Sequence, residues 1–206
     1  MIRRCTINEN VKYPVPKEHG LTEIRWHGRG GQGVVTAGEI LAEAALDEGR
    51  YFQAFPEFGA ERTGAPVKAY TRIGDEPIDL HCPISEPSVV VVLDSTLLAS
   101  IDVFEGLSDG GAVIINSPRS PDEIAPQSRL GNRFIATVDA TSIAMDTLGR
   151  NIPNTAMLGA LLSATAILDK NTCLKVIVRR LSVRFPQHIV EANKAAFEQA
   201  FSTVRV

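Results

Sequence analysis

The chain has 206 residues, with 21 Lys and Arg against 24 Asp and Glu for a formal charge of −3, and is 44% hydrophobic. That length suits one large domain with a substantial core, and the charge balance excludes a general nucleic-acid binder with its basic face. No apolar run is long enough to span a bilayer, and no charged-then-apolar leader opens the chain, so a soluble, cytoplasmic protein is expected. Cys5, Cys82 and Cys173 lie far apart and form no C-x-x-C. They build neither a zinc site nor an iron–sulfur run, so no metal ligand is assigned and reduced structural thiols are expected.

Residues 1–21 are polar, carry two prolines and show no clean periodicity. They read as an extension lying on the surface or against a partner. A strand-like run at 23–26 then breaks into His27-Gly28-Arg29-Gly30-Gly31-Gln32-Gly33. Residues 34–48 follow as a helix, with Val34, Ala37, Ile40, Leu41, Ala44 and Ala45 on one apolar stripe and Gly49 as its stop. Its acidic row, Glu39, Glu43, Asp47 and Glu48, reads as a solvated face.

Strand, glycine turn, helix and a second extended run at 51–55 make the first half of a Rossmann-type unit. Gly28, Gly30 and Gly33 have the G-x-G-x-x-G spacing, which lets backbone approach a ligand without a Cβ between them. The helix start behind them suits a phosphate or carboxylate, and Arg29 adds a forked cation. The six residues Gly28 to Gly33 are thus candidates for holding an anionic cofactor group. The alternative is that the glycines only close a turn and pack a helix. A dinucleotide site also wants an acidic residue about 20 positions on, at the end of the second strand. Only Glu57 stands near that place, behind Pro56, which weakens a nicotinamide reading.

The segment 54–64 is dense in aromatics, glycines and charges and lacks periodicity, as functional loops do. Residues 66–73 alternate as a strand, 74–77 turn, and 78–81 are expected to return beside it as a hairpin. Residues 88–93 (SVVVVL) form a strand buried on both faces, ending at Asp94, which either reaches the glycine loop or caps a short helix at 97–104. Strands at 112–115 and 134–138 also end in small polar residues, Asn116-Ser117 and Asp139-Ala140-Thr141, suggesting a shared ligand edge. Asn154 reads as the N-cap of a buried helix over 155–168. Residues 174–181 form a short basic-apolar segment, and Pro186 precedes an amphipathic helix carrying Val190, Ala196, Phe197, Ala200 and Phe201. His27 abuts the glycine loop; a structural role is its default.

The glycine motif together with Phe58-Gly59-Ala60-Glu61-Arg62-Thr63-Gly64-Ala65-Pro66-Val67 and Asn154-Thr155-Ala156-Met157-Leu158-Gly159 resembles the gamma subunit of pyruvate:ferredoxin oxidoreductase. It also resembles the gamma-like domain shared across 2-oxoacid:acceptor oxidoreductases. The resemblance covers residues 22–206. The expected fold is a single α/β domain, three-layered and Rossmann-like, with a largely parallel sheet, helices on both faces and a β-hairpin insertion near 66–81. The resemblance implies one subunit of an enzyme that converts a 2-oxoacid, with pyruvate favoured, to acyl-CoA and CO2 while reducing ferredoxin. Thiamine diphosphate, Mg2+ and 4Fe–4S clusters would lie on alpha, beta and delta-type partner subunits, with coenzyme A as co-substrate. This chain would bind no cofactor alone, carry no catalytic residue and be inactive alone. With the resemblance, Phe55, Phe58, Glu61 and Arg62 become candidates for the partner interface. The rival readings are a stand-alone nucleotide-binding dehydrogenase and a non-catalytic scaffold subunit.

Overall fold

A computed structural model describes residues 13–17, 20–57, 64–128 and 133–206. Six strands form one sheet: β1 (Leu21–Arg29), β2 (Tyr51–Pro56), β3 (Pro66–Gly74), β4 (Val89–Val92), β5 (Ala112–Asn116) and β6 (Phe134–Val138). Their spatial order is β2-β3-β1-β4-β5-β6. β1, β4, β5 and β6 run parallel, and β3 is antiparallel to both β1 and β2. The sheet is therefore largely parallel, with one antiparallel strand inserted between β1 and β2.

The insertion corrects the expected hairpin. β3 pairs with β1 on one side and β2 on the other, so no edge is left for residues 78–81, which form no strand. They stay irregular and mostly exposed, and the Ile78 carbonyl accepts from the Gln53 side chain at 3.1 Å.

Alternation along the strands gives each sheet face its own core. Ile24, Trp26, Val89, Val91 and Ile114 lie under α1 (Val34–Asp47), α4 (Asn154–Thr165) and α6 (Gln187–Thr203). Val90, Val92, Val113 and Ile115 pack on the opposite side against Leu97, Val103 and Leu107 and against Ile124 of α2 (Pro121–Ser128). α3 (Ala140–Leu148) and α5 (Lys170–Ser182) complete the helices. α4 buries every residue except Ser163, in keeping with a sequence that is apolar nearly all round.

Three local expectations change. The acidic row of α1 stays exposed or half-buried but is paired: Arg180 contacts Glu39 at 2.7 Å and Arg179 contacts Asp47 at 2.9 Å, so the basic segment expected at 174–181 belongs to a helix packed on α1. The helix expected at 97–104 shortens to a 3-10 turn, Ser95–Ala99, because the Asp102 side chain takes the Phe104 N–H at 3.1 Å and competes with helical bonding. Asn154 lies inside α4 as its first residue, behind Pro153, rather than capping it. Upstream, Tyr13 stacks on Phe134 with ring centroids 4.2 Å apart and its N–H meets the Ala164 carbonyl, which lays 13–17 on the domain surface.

Candidate functional site

β1 crosses over through α1 to β2 on one side of the sheet, whereas β4 leads toward β5 and β6 on the other. The carboxyl ends of β1 and β4 therefore flank the topological switch point, where open α/β sheets form a crevice. The glycine loop leaves β1 there and Asp94 leaves β4.

The loop is braced from within. The Gln32 side-chain oxygen accepts the Arg29 N–H at 2.8 Å, and its amide nitrogen donates to Asp94 at 3.0 Å. Arg29 is paired with Asp94 at 3.2 Å and donates to the Gly64 carbonyl at 3.0 Å and the Thr96 hydroxyl at 2.9 Å. Asp94 also accepts the Thr96 N–H at 3.0 Å, so it both reaches the loop and caps the 3-10 turn. Burial opposes ionisation of Asp94, but hydrogen bonds from Thr96 and Gln32 and the charge of Arg29 outweigh it and hold its carboxyl below the usual range.

Two loop positions need glycine for stated reasons. Gly31 has φ 97° with open space where a Cβ would stand. Gly33 has φ 77°, and a Cβ there would run into the Asn154 carboxamide. Gly33 is also the residue before α1, and no side chain caps that helix. The first N–H groups and the positive dipole end of α1 thus lie at the switch point without a side-chain cap among the described residues. Gly30 continues the sheet, bonded to Ala65 and Gly64.

The face of β1 away from α1 carries a second polar array. Glu23, Arg25, His27 and Arg29 alternate with Ile24, Trp26 and Gly28, and antiparallel pairing sets Arg72, Tyr70 and Lys68 opposite the first three. The buried Arg25 guanidinium donates to His27 Nε2 at 3.1 Å and to the carbonyls of Val103 and Glu105. His27 is 1% exposed, and Nδ1 has no partner among the described residues. Burial, with the positive charges of Arg25 and Lys68, pushes its pKa down to about 3, so the ring is neutral. Tyr70 donates to Glu57 at 2.6 Å, and Phe55 lies 5.3 Å from the Tyr70 ring and 5.7 Å from the Arg72 guanidinium.

The structure thus brings the loop Gly28, Arg29, Gly30, Gly31, Gln32 and Gly33 beside Asp94 at the carboxyl ends of β1 and β4, with Gly28 itself buried. Phe55 sits apart, on β2. Phe58, Glu61 and Arg62 lie outside the described residues.

Residues 23–203 match the family described as pyruvate ferredoxin/flavodoxin oxidoreductase. The chain belongs to that family. The pyruvate synthase subunit PorC of Thermotoga maritima is 45% identical over 192 residues, 93% of this chain and 98% of its own length. The common gamma subunit of pyruvate/ketoisovalerate oxidoreductases from Thermococcus kodakarensis is 49% identical over 182 residues, 88% of this chain and 96% of its own. The crystal structure of the Thermotoga maritima subunit superposes with a TM-score of 0.80, covering 90% of this chain and 98% of that one. The family resemblance read from the motifs is borne out.

In this member of the pyruvate ferredoxin/flavodoxin oxidoreductase family, sequence reasoning missed Thr96 and Asn154 as parts of the loop's setting and the Arg25–His27 pair beneath it. The pair had a signal, since polar residues occupy every second position from 23 to 29. Asn154 opens one of the quoted motifs, but its contact with Gly33 had no signal because it spans more than a hundred residues.

Proposed function

We propose that this chain is the gamma subunit of a 2-oxoacid:ferredoxin oxidoreductase, with pyruvate as the substrate. The observation that carries the reading is similarity to the Thermotoga maritima pyruvate synthase subunit over 98% of that subunit's length. The assembled enzyme oxidatively decarboxylates the 2-oxoacid, gives acyl-CoA and passes two electrons to ferredoxin. Thiamine diphosphate with Mg2+ and the 4Fe–4S clusters sit on alpha, beta and delta-type partners. The two thiols among the described residues do not fit a cluster: Cys173 is buried in the core with its pKa pushed up to about 12 by burial and by Glu48, and Cys82 is exposed beside Arg72. No helix among the described residues is long and apolar enough to cross a membrane, consistent with a cytoplasmic assembly.

Within the complex, the start of α1 and the open backbone at Gly31 hold an anionic group of coenzyme A. Arg29, Gln32 and Asp94 position that loop, since each is already bonded to another loop-setting group. The same bonds favour a second reading, a glycine loop that only packs. A dinucleotide site is disfavoured because β3 separates β2 from β1, setting Glu57 two strand spacings, about 10 Å, from the glycine loop. Phe55, Phe58, Glu61 and Arg62 form the contact with a partner chain, aromatic anchors beside a guanidinium.

Recovery of the tagged chain from cells making all companion chains tests both assembly and interface. The wild-type chain should bring its partners and their cluster absorbance. The Phe58→Ala, Arg62→Ala double variant should come away folded and alone. A wild-type chain recovered alone contradicts the assembly, and a double variant with a full set of partners contradicts the interface.

A further inference from the structure

Among the described residues β2 is an edge strand, paired only with β3. Which of its backbone groups face outward follows from one bond. The Glu57 N–H donates to the Lys68 carbonyl, continuing the β2–β3 register, so Tyr51, Gln53 and Phe55 are the positions bonded to β3. Phe52, Ala54 and Pro56 then point their main-chain groups away from the sheet. No hydrogen bond among the described residues is made to the N–H or carbonyl of Phe52 or Ala54.

Such an edge is ordinarily blunted by charge, a bulge, an internal proline or a cover. Residues 51–56 carry no charge, their register with β3 is unbroken, and the lone proline stands at the end. Tyr51 and Phe52 are 48% and 37% exposed. We propose that this edge pairs with the β2 strand of a second copy of the chain, antiparallel and centred on Gln53.

The strand itself selects that occupant and register. Outward groups must meet outward groups, which restricts the two-fold to residues 52, 53 or 54. Centring on Phe52 would call on the Arg50 N–H, already given to Ala45. Centring on Ala54 would call on Pro56, which has no N–H. Centring on Gln53 sets Phe52 opposite Ala54 twice, giving four N–H···O bonds with every donor present. It also sets Tyr51 opposite Phe55 of the other copy, an aromatic cross-strand pair, and opposes no like charges. The two copies of Glu57 lie at opposite ends of the ladder.

Sedimentation equilibrium of the purified chain tests the pairing. The wild-type chain should show twice the monomer mass at tens of micromolar. Ala54→Pro removes an outward N–H and leaves the bonds to β3 intact, so it should be monomeric with unchanged circular dichroism. Gln53→Cys provides a positive readout that does not depend on the proline variant folding. Residue 53 would face itself in a non-hydrogen-bonded pair, about 4.5 Å between Cα atoms, within disulfide range. In a Cys82→Ser background, Gln53→Cys should yield a disulfide-linked dimer on mild oxidation, whereas Tyr51→Cys should not. A monomeric wild-type chain, or equal cross-linking from positions 51 and 53, overturns the proposal. A monomer whose Ala54→Pro variant instead loses a companion subunit also overturns it and gives the edge to that subunit.

Discussion

His27 and Gly31 make opposite demands on the residues around the glycine loop. The unfolded chain protonates His27 below its ordinary value near 6.5, whereas the folded ring stays neutral down to about 3. Its contribution to stability is therefore complete above pH 6.5 and is lost as pH falls from there toward 3, at no more than about 1.4 kcal/mol per pH unit. His27→Gln keeps an acceptor for Arg25 and removes the titration. The wild-type melting temperature should drop more steeply than that of the variant between pH 6.5 and 4, and parallel curves would contradict the burial argument. Gly31, by contrast, is exposed and meets nothing, so charge there can be changed without a clash. Gly31→Asp and Gly31→Asn are close in shape, and both residue types tolerate positive φ better than most. In the assembled enzyme the Asp variant should show a KM for coenzyme A several-fold above the Asn variant, with the KM for the 2-oxoacid equal in both. Equal coenzyme A values would leave the loop as packing.

At the scale of elements, the strands and helices with an unambiguous period were legible. The valine run of β4, the stripe of α1 and the apolar α4 needed only composition and spacing. α3 and the full length of α5 were not, because Ala140–Leu148 is short and exposes Met145 beside Ser142 and Asp146, and α5 carries its basic residues where α1 supplies carboxylates. The place of β3 was hidden for a different reason: alternation marks a strand but does not say which neighbour it joins. Asp94 was legible as a strand end at the carboxyl edge, but its bonds to Gln32 and Arg29 depend on the order in which strands assemble. Helix packing gives a prediction whose sign runs against propensity. Gly→Ala inside a helix ordinarily gains about 1 kcal/mol. At Gly159, however, a Cβ would press on the Phe197 backbone of α6, so Gly159→Ala should lower stability in urea denaturation. A gain would mean that α4 and α6 are not in backbone contact there.

Over the whole molecule, the proposed function divides the chemistry between chains, with the cofactors on the partners. The described residues of this domain offer a glycine loop at the switch point, a helix start without a side-chain cap and an open sheet edge. Among the described residues no group of His, Cys, Asp and Glu could hold a metal ion, and stabilising the carbanion of decarboxylation or carrying single electrons is work that belongs to cofactors. The most direct test is therefore turnover by the purified chain with and without its companions, using pyruvate, coenzyme A and ferredoxin. Alone, it should be colourless, free of iron and inactive, and adding it to a companion mixture prepared without it should restore full acyl-CoA formation. Visible cluster absorbance, or turnover of any 2-oxoacid or nicotinamide substrate by the lone chain, would contradict the account.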